Sequence, residues 1–64
     1  MNTQEEIRKL VSNKKYWTGA SKFVAIDGDE VLWYDGEEMM YCINKFVIDN
    51  GEVEFSPMPI QSFH

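Results

Sequence analysis

Residues 23–55 read FVAIDGDEVLWYDGEEMMYCINKFVIDNGEVEF, and this stretch decides the fold. Three pairs divide it: Asp27-Gly28, Asp35-Gly36 and Asn50-Gly51. Such pairs favour tight hairpin turns, because Gly and Asn accept positive φ angles at little steric cost. The runs between them, at residues 23–26, 31–34, 46–48 and 53–55, are rich in β-branched and aromatic residues. The pattern therefore predicts an antiparallel meander of short strands.

Each turn implies a register, and each register can be checked for apolar pairs across the strands. Loops at Gly28-Asp29, Asp35-Gly36 and Asn50-Gly51 all place apolar residues opposite apolar residues, as cross-strand packing requires. The predicted pairs are Ile26 with Val31, Ala25 with Leu32, Val24 with Trp33, Leu32 with Met39, Val31 with Met40, Ile48 with Val53, and Phe46 with Phe55.

Residues 37–44 fit two kinds of structure. Met39, Met40 and Ile43 match a helical period, whereas Tyr41 and Ile43 favour a strand. The hairpin registers favour the strand. Asn44-Lys45 is then expected to form a turn or a bulge.

A helix is predicted over residues 3–13. Asn2 or Thr3 can cap it, and Thr3 and Glu6 have the spacing of a capping box. Apolar residues at helical spacing supply the buried stripe: Ile7, Leu10 and Val11.

These elements predict an α+β fold, in which a short N-terminal helix packs on a curled antiparallel meander of four to five strands. The sheet can curl into an SH3-like partial barrel. Residues 1–64 form one domain, with hairpins over 22–56 and an irregular tail over 57–64, since Pro57 and Pro59 cannot donate to a strand ladder.

The composition disfavours most catalytic and metal chemistry. Cys42 and His64 are the only cysteine and the only histidine, so a disulfide within the chain and a Cys/His zinc site are excluded. Cys42 lies among apolar neighbours and is interpreted as a buried, inert thiol. The segment from Asp27 to Glu38 has the length of a calcium loop, but Leu32 stands where that loop needs glycine. We expect no enzyme activity and no cofactor.

No apolar stretch approaches the roughly 20 residues of a membrane span, and the N-terminal residues do not resemble a signal peptide. The sequence therefore predicts a cytoplasmic protein with no membrane partner.

The net charge of −5 is distributed unevenly. Residues 1–22 carry five basic and two acidic side chains, whereas residues 23–64 carry one basic and nine acidic side chains. This contrast either keeps the protein soluble or directs an acidic surface to a basic partner.

The leading functional hypothesis is a small, non-enzymatic protein-interaction module. It would inhibit or modulate a nucleic-acid-binding protein through an acidic surface, as DNA mimics of viral or mobile-element type do. Five acidic residues are expected to gather at one end of the sheet, beside aromatic anchors. The candidates are Asp35, Glu37, Glu38, Asp49 and Glu52, with Trp33 and Tyr34. Asp27, Asp29 and Glu30 are expected at the other end.

An alternative is a nucleic-acid-binding module, in which basic and aromatic side chains hold phosphates and stack on bases. Its candidate residues are Lys14, Lys15, Tyr16, Trp17 and Lys22. The acidic remainder of the chain would repel a polyanion, which disfavours direct nucleic-acid binding. A homo-oligomer is a further option, because so short a chain buries little core.

Overall fold

The computed structural model describes residues 3–64 and confirms the predicted α+β fold. The elements of this part of the chain are α1 (Gln4–Val11), β1 (Ser21–Asp27), β2 (Glu30–Asp35), β3 (Met40–Asp49), β4 (Glu52–Phe55) and β5 (Gln61–Phe63). The strands lie in the meander order β1-β2-β3-β4, and β5 also pairs with β3. The sheet is not closed into a barrel.

The N-terminus of α1 follows the sequence prediction. Thr3 Oγ1 accepts a hydrogen bond from the Glu6 amide at 3.2 Å, and the Glu6 carboxylate accepts one from the Thr3 amide at 3.2 Å. This reciprocal pair satisfies two of the otherwise unpaired amides at the helix start. Asn2, the other predicted cap, lies outside the described residues.

The helix ends at Val11, two residues earlier than predicted. Asn13 Oδ1 accepts a hydrogen bond from the Lys15 amide at 3.0 Å, and this local bond competes with continuation of the helix. The Trp17 indole Nε1 donates to the Val11 carbonyl at 2.6 Å. A tertiary contact thus occupies one of the carbonyls that the helix end leaves free.

The first and third hairpins have the predicted turns. Ile26 lies opposite Val31 and Ala25 opposite Leu32 in the first hairpin. Both predicted pairs of the third hairpin, Ile48 with Val53 and Phe46 with Phe55, are also confirmed. Asn50 and Gly51 have φ angles of 54° and 80°, as their tight turn requires.

The predicted pairing of Val24 with Trp33 is wrong. The register of β1 shifts between Phe23 and Ala25, so that Phe23 lies opposite Trp33. An extra residue in one strand of an antiparallel pair forms a β-bulge, and Val24 is the residue left over here.

The register predicted for the second hairpin is also wrong. Asp35 lies opposite Met40 and Leu32 opposite Ile43, so residues 36–39 form a longer turn. Asp35 Oδ1 accepts hydrogen bonds from the amides of Glu37 and Glu38 at 3.0 and 3.2 Å, which stabilises that turn.

The strand interpretation of residues 37–44 is therefore right from residue 40 onward. Asn44 and Lys45 lie inside β3 and form neither a turn nor a bulge.

Residues Gln61–Phe63 of the tail form strand β5, which corrects the prediction of an irregular segment over 57–64 for these three residues. β4 and β5 pair with successive parts of the same edge of β3. Between them, the Ser56 amide donates to the Lys45 carbonyl at 2.8 Å and the Ile60 amide to the Ile43 carbonyl at 2.7 Å. Both prolines fall in this gap, where the loss of their N–H groups costs no ladder bond.

The helix covers one face of the sheet, which we call the inner face. The buried core residues are Val11, Val31, Cys42, Phe46 and Val53. The predicted burial of Cys42 is thus confirmed. Trp17 packs over this core, with its ring centroid 5.7 Å from that of Trp33 and 5.3 Å from that of Phe55.

Candidate partner-binding site

The five acidic candidates do not gather at one end of the sheet, so that prediction is wrong. Asp35, Glu37 and Glu38 lie at the β2–β3 turn. Asp49 and Glu52 flank the β3–β4 turn at the opposite end, which also holds the β1–β2 turn. The acidic residues are divided in this way because successive hairpins of a meander turn at alternate ends of the sheet.

The β2–β3 turn packs closely against residues 18–21, which lead into β1. The Gly36 amide donates to the Ala20 carbonyl at 2.8 Å. A Cβ atom at Gly36 would lie only 2.6 Å from that carbonyl oxygen, so the two segments can approach this closely only because residue 36 is glycine. The two segments together form the walls of a concave site.

This site is a pocket of about 400 Å³ that we call the acidic pocket. Its lining contains two carboxylate side chains and one indole ring, and no basic side chain. The lining residues are Thr18, Gly19, Ala20, Ser21, Trp33, Asp35 and Glu37. Three of the predicted partner-binding residues therefore line one site, and Glu38 lies exposed beside it.

Trp33 is held in place from the inside of the fold. Its indole Nε1 donates to Asn44 Oδ1 at 2.7 Å, and Asn44 Nδ2 donates to the Ser56 carbonyl at 3.0 Å and to Ser56 Oγ at 3.3 Å. Asn44 is buried, and these bonds satisfy its amide. The wall of the acidic pocket is thus fixed by a polar network that links β2, β3 and the end of β4.

Sequence reasoning missed Asn44, Ser56 and the loop at residues 18–20. The sequence does carry a signal for Asn44. Cys42, Asn44 and Phe46 alternate along β3 and therefore point to the same face, so a polar side chain stands between two apolar ones on the buried face.

Tyr34 does not share a site with Trp33. Adjacent strand residues point to opposite faces, and the Tyr34 ring lies 5.0 Å from that of Tyr41 on the other face of the sheet.

Glu52 belongs to a separate polar cluster. Lys15 Nζ lies 3.1 and 2.8 Å from the two oxygens of Glu52. Tyr16 Oη donates to Glu52 Oε2 at 3.0 Å and accepts from the Val53 amide at 3.0 Å. The hydrogen bond from Lys15, with a further one from Tyr16, lowers the pKa of the Glu52 carboxyl. The bond to Glu52 in turn raises the pKa of Lys15.

The Lys15–Glu52 pair predicts a pH dependence with a defined sign. Because the folded-state pKa of Glu52 is lowered, its contribution to stability is present above the unfolded-state pKa and is lost as the pH falls through the folded-state pKa. Lys15→Met should raise the pKa of Glu52 most, and Tyr16→Phe should raise it less. Carboxyl ¹³C titration by NMR measures both shifts, with Lys14→Met as the control. An unchanged Glu52 titration in Lys15→Met would contradict this assignment.

The five candidate residues of the nucleic-acid-binding alternative do not form one site. Lys15 and Tyr16 bind Glu52, and Trp17 packs within the aromatic core. Lys14 and Lys22 are exposed, and neither forms an ion pair within residues 3–64.

Comparisons with protein-family models, curated proteins and solved structures found no match. Across residues 3–64, no three His, Cys, Asp or Glu side chains are grouped so that they could hold a metal ion. The helix in this part of the chain is too short and too polar to cross a membrane.

Proposed function

We propose that this protein is a non-enzymatic interaction module that binds a basic side chain of a protein partner in the acidic pocket. The observation that carries the proposal is the composition of that pocket. Asp35 and Glu37 supply two negative charges, Trp33 supplies an aromatic wall, and the lining contains no basic side chain to neutralise the carboxylates.

An arginine side chain fits this chemistry best. Its guanidinium is planar, always charged and less strongly hydrated than an ammonium group, so it can pair with carboxylates while it stacks on an indole. The acidic residues of 23–64 would attract such a partner from a distance and raise the association rate.

A basic surface rich in arginine is typical of proteins that bind nucleic acids. The finer proposal is therefore that the module inhibits or modulates a nucleic-acid-binding protein, as DNA mimics of viral or mobile-element type do. No observation favours direct nucleic-acid binding, because Tyr16 and Trp17 are engaged within the fold and Lys15 is paired with Glu52.

The double substitution Asp35→Asn with Glu37→Gln tests the acidic pocket. It removes two charges, and the amide that replaces the Asp35 carboxylate keeps an oxygen for the two turn amides. Affinity for a fluorescein-labelled, arginine-rich peptide should fall about tenfold or more, measured by fluorescence anisotropy at low salt. A pull-down from lysate of the source cell, washed at low and high salt, would then identify the natural partner.

The matched control is Asp49→Asn with Glu54→Gln, which makes the same change of net charge at the other end of the sheet. Both of these residues are exposed. The control should lose less than about threefold in affinity. Equal losses in the two variants would show that total charge and not the pocket determines binding, which would refute the proposed site.

A further inference from the structure

The face of the sheet opposite the helix, which we call the outer face, carries apolar and aromatic side chains that no described element covers. Residues paired across antiparallel strands share a face, so the strand registers place three rows of residues on it. The rows are Lys22, Tyr34, Tyr41 and Phe63 (the aromatic row); Ala25, Leu32, Ile43 and Gln61 (the apolar row); and Asp27, Glu30 and Lys45 (the charged row).

The two ends of the outer face have different shapes. The aromatic row carries rings in contact, with 5.0 Å between the centroids of Tyr34 and Tyr41, and 5.9 Å between those of Tyr41 and Phe63. The other end contains a depression of about 220 Å³, formed by Ala25, Leu32 and Ile43 of the apolar row together with Ile26, Asp27 and Glu30. One end therefore projects bulky rings, and the other offers a hollow floored by aliphatic side chains.

The two ends also differ in charge. Lys22 lies in the aromatic row, and Asp27 and Glu30 lie in the charged row. Within the described residues none of these three side chains forms an ion pair, whereas Lys45 pairs with Asp29 at 3.5 Å. The unpaired Lys22 in the aromatic row is therefore complementary in charge to the unpaired Asp27 and Glu30 in the charged row.

We propose that the outer face binds a second copy of this chain, about a two-fold axis that runs along the apolar row, across the strands. This rotation reverses the strand direction but keeps the strand order. It places the aromatic row of each copy over the charged row of the other. Lys22 then faces Asp27 of the partner subunit, and Tyr41 faces Lys45 of the partner subunit.

The same rotation makes the face complementary to itself in shape. The apolar row packs against its own copy at the centre, and the rings of each aromatic row enter the depression of the other copy. Face-to-face packing of two sheets with roughly aligned strands is a common arrangement.

The charge pattern favours a second copy over other occupants. A nucleic acid would need a uniformly positive face, and a basic partner would need a uniformly negative one. An isologous two-fold contact brings each row to the opposite row of the other copy, so that the unpaired Lys22 of the aromatic row meets the unpaired Asp27 of the charged row. The acidic pocket opens beside the inner-facing Trp33 and Asp35, so a dimer would leave two such pockets free.

A charge swap tests both the dimer and its register. Sedimentation equilibrium from about 10 μM to about 1 mM protein should show a dimer of twice the 7.5 kDa chain mass. Lys22→Asp and Asp27→Lys should each raise the dissociation constant of the dimer about tenfold, because each places like charges together at two symmetric contacts. The double variant should return to within about threefold of the original value.

Lys14→Asp is the control for Lys22→Asp, because it makes the same change of charge away from the outer face. Lys22 and Asp27 are both exposed, so circular dichroism should show an intact fold in every variant. A monomer throughout the concentration range, a dimer insensitive to both single changes, or a swap that fails to restore association would each overturn the proposal. Peptide binding to the acidic pocket is measured separately, so failure of the dimer is distinguishable from failure of the proposed function.

Discussion

Replacement of Trp17 by alanine is expected to lower the free energy of unfolding by about 3–5 kcal/mol. The Trp17 ring lies between Trp33, Phe55 and Phe23, with centroid distances of 5.7, 5.3 and 6.2 Å. Its indole Nε1 also donates to the carbonyl of Val11 at the end of the helix. The substitution therefore removes a contact between the helix end and the sheet. Urea unfolding followed by circular dichroism measures the loss.

A domain of this size has only roughly 3–5 kcal/mol of net stability, so the Trp17→Ala variant should be largely unfolded at 25 °C. Trp17→Phe is the matched variant, since it keeps most of the ring contacts and removes the hydrogen bond to Val11. Its cost should be about 1–2 kcal/mol. A loss below about 1 kcal/mol in Trp17→Ala would contradict the central role of this ring.

This result also determines how any loss of nucleic-acid binding in Trp17→Ala should be interpreted. Such a loss would follow from unfolding alone. A test of the nucleic-acid alternative therefore needs Lys14 and Lys22, whose side chains are exposed.

Replacement of Asn44 by alanine should cost about 2–4 kcal/mol. Asn44 is buried and is the single hydrogen-bond partner that the structure gives to the Trp33 indole N–H. The substitution would also remove the two hydrogen bonds from Asn44 Nδ2 to Ser56 and leave a small cavity between β3 and β4. Unpaired polar groups in the interior carry a desolvation cost that alanine cannot offset.

Urea unfolding measures this cost, and hydrogen exchange of the Trp33 indole proton by NMR reports the lost bond directly. Asn13→Ala is the control, because Asn13 is exposed and its side chain takes part in one local hydrogen bond, which it accepts from the Lys15 amide. Its cost should be about 0.5–1 kcal/mol. Unchanged indole exchange in Asn44→Ala would show that the network does not hold Trp33, and the wall of the acidic pocket would then need another explanation.

The candidate site could be predicted only in part. Asp35, Glu37 and Trp33 were found from charge, turn spacing and aromatic character, and the structure places all three around one pocket. The other wall comes from residues 18–21, which carry no charge and no motif. They join the site because Gly36 lets two backbone segments meet, and that contact joins positions 16 residues apart in the sequence.

The sequence by itself determined the features that depend on neighbouring residues. The capping box at Thr3 and Glu6, the turns at Gly28-Asp29 and Asn50-Gly51, and the strands beside them were all predicted correctly. Each of these is determined by backbone preferences and side-chain contacts within a few residues, so each leaves a local pattern in the sequence.

Only the tertiary structure decided the features that depend on distant contacts. The bulge at Val24, the length of the β2–β3 turn and the pairing of β5 with β3 all set which residues meet across strands. The partners of Glu52 and Asn44 were hidden for the same reason, since Lys15 lies 37 residues from Glu52 in the chain and Ser56 lies 12 from Asn44. Such contacts form only when packing of the whole sheet offsets the entropy of closing the chain between them, and no local pattern records that balance.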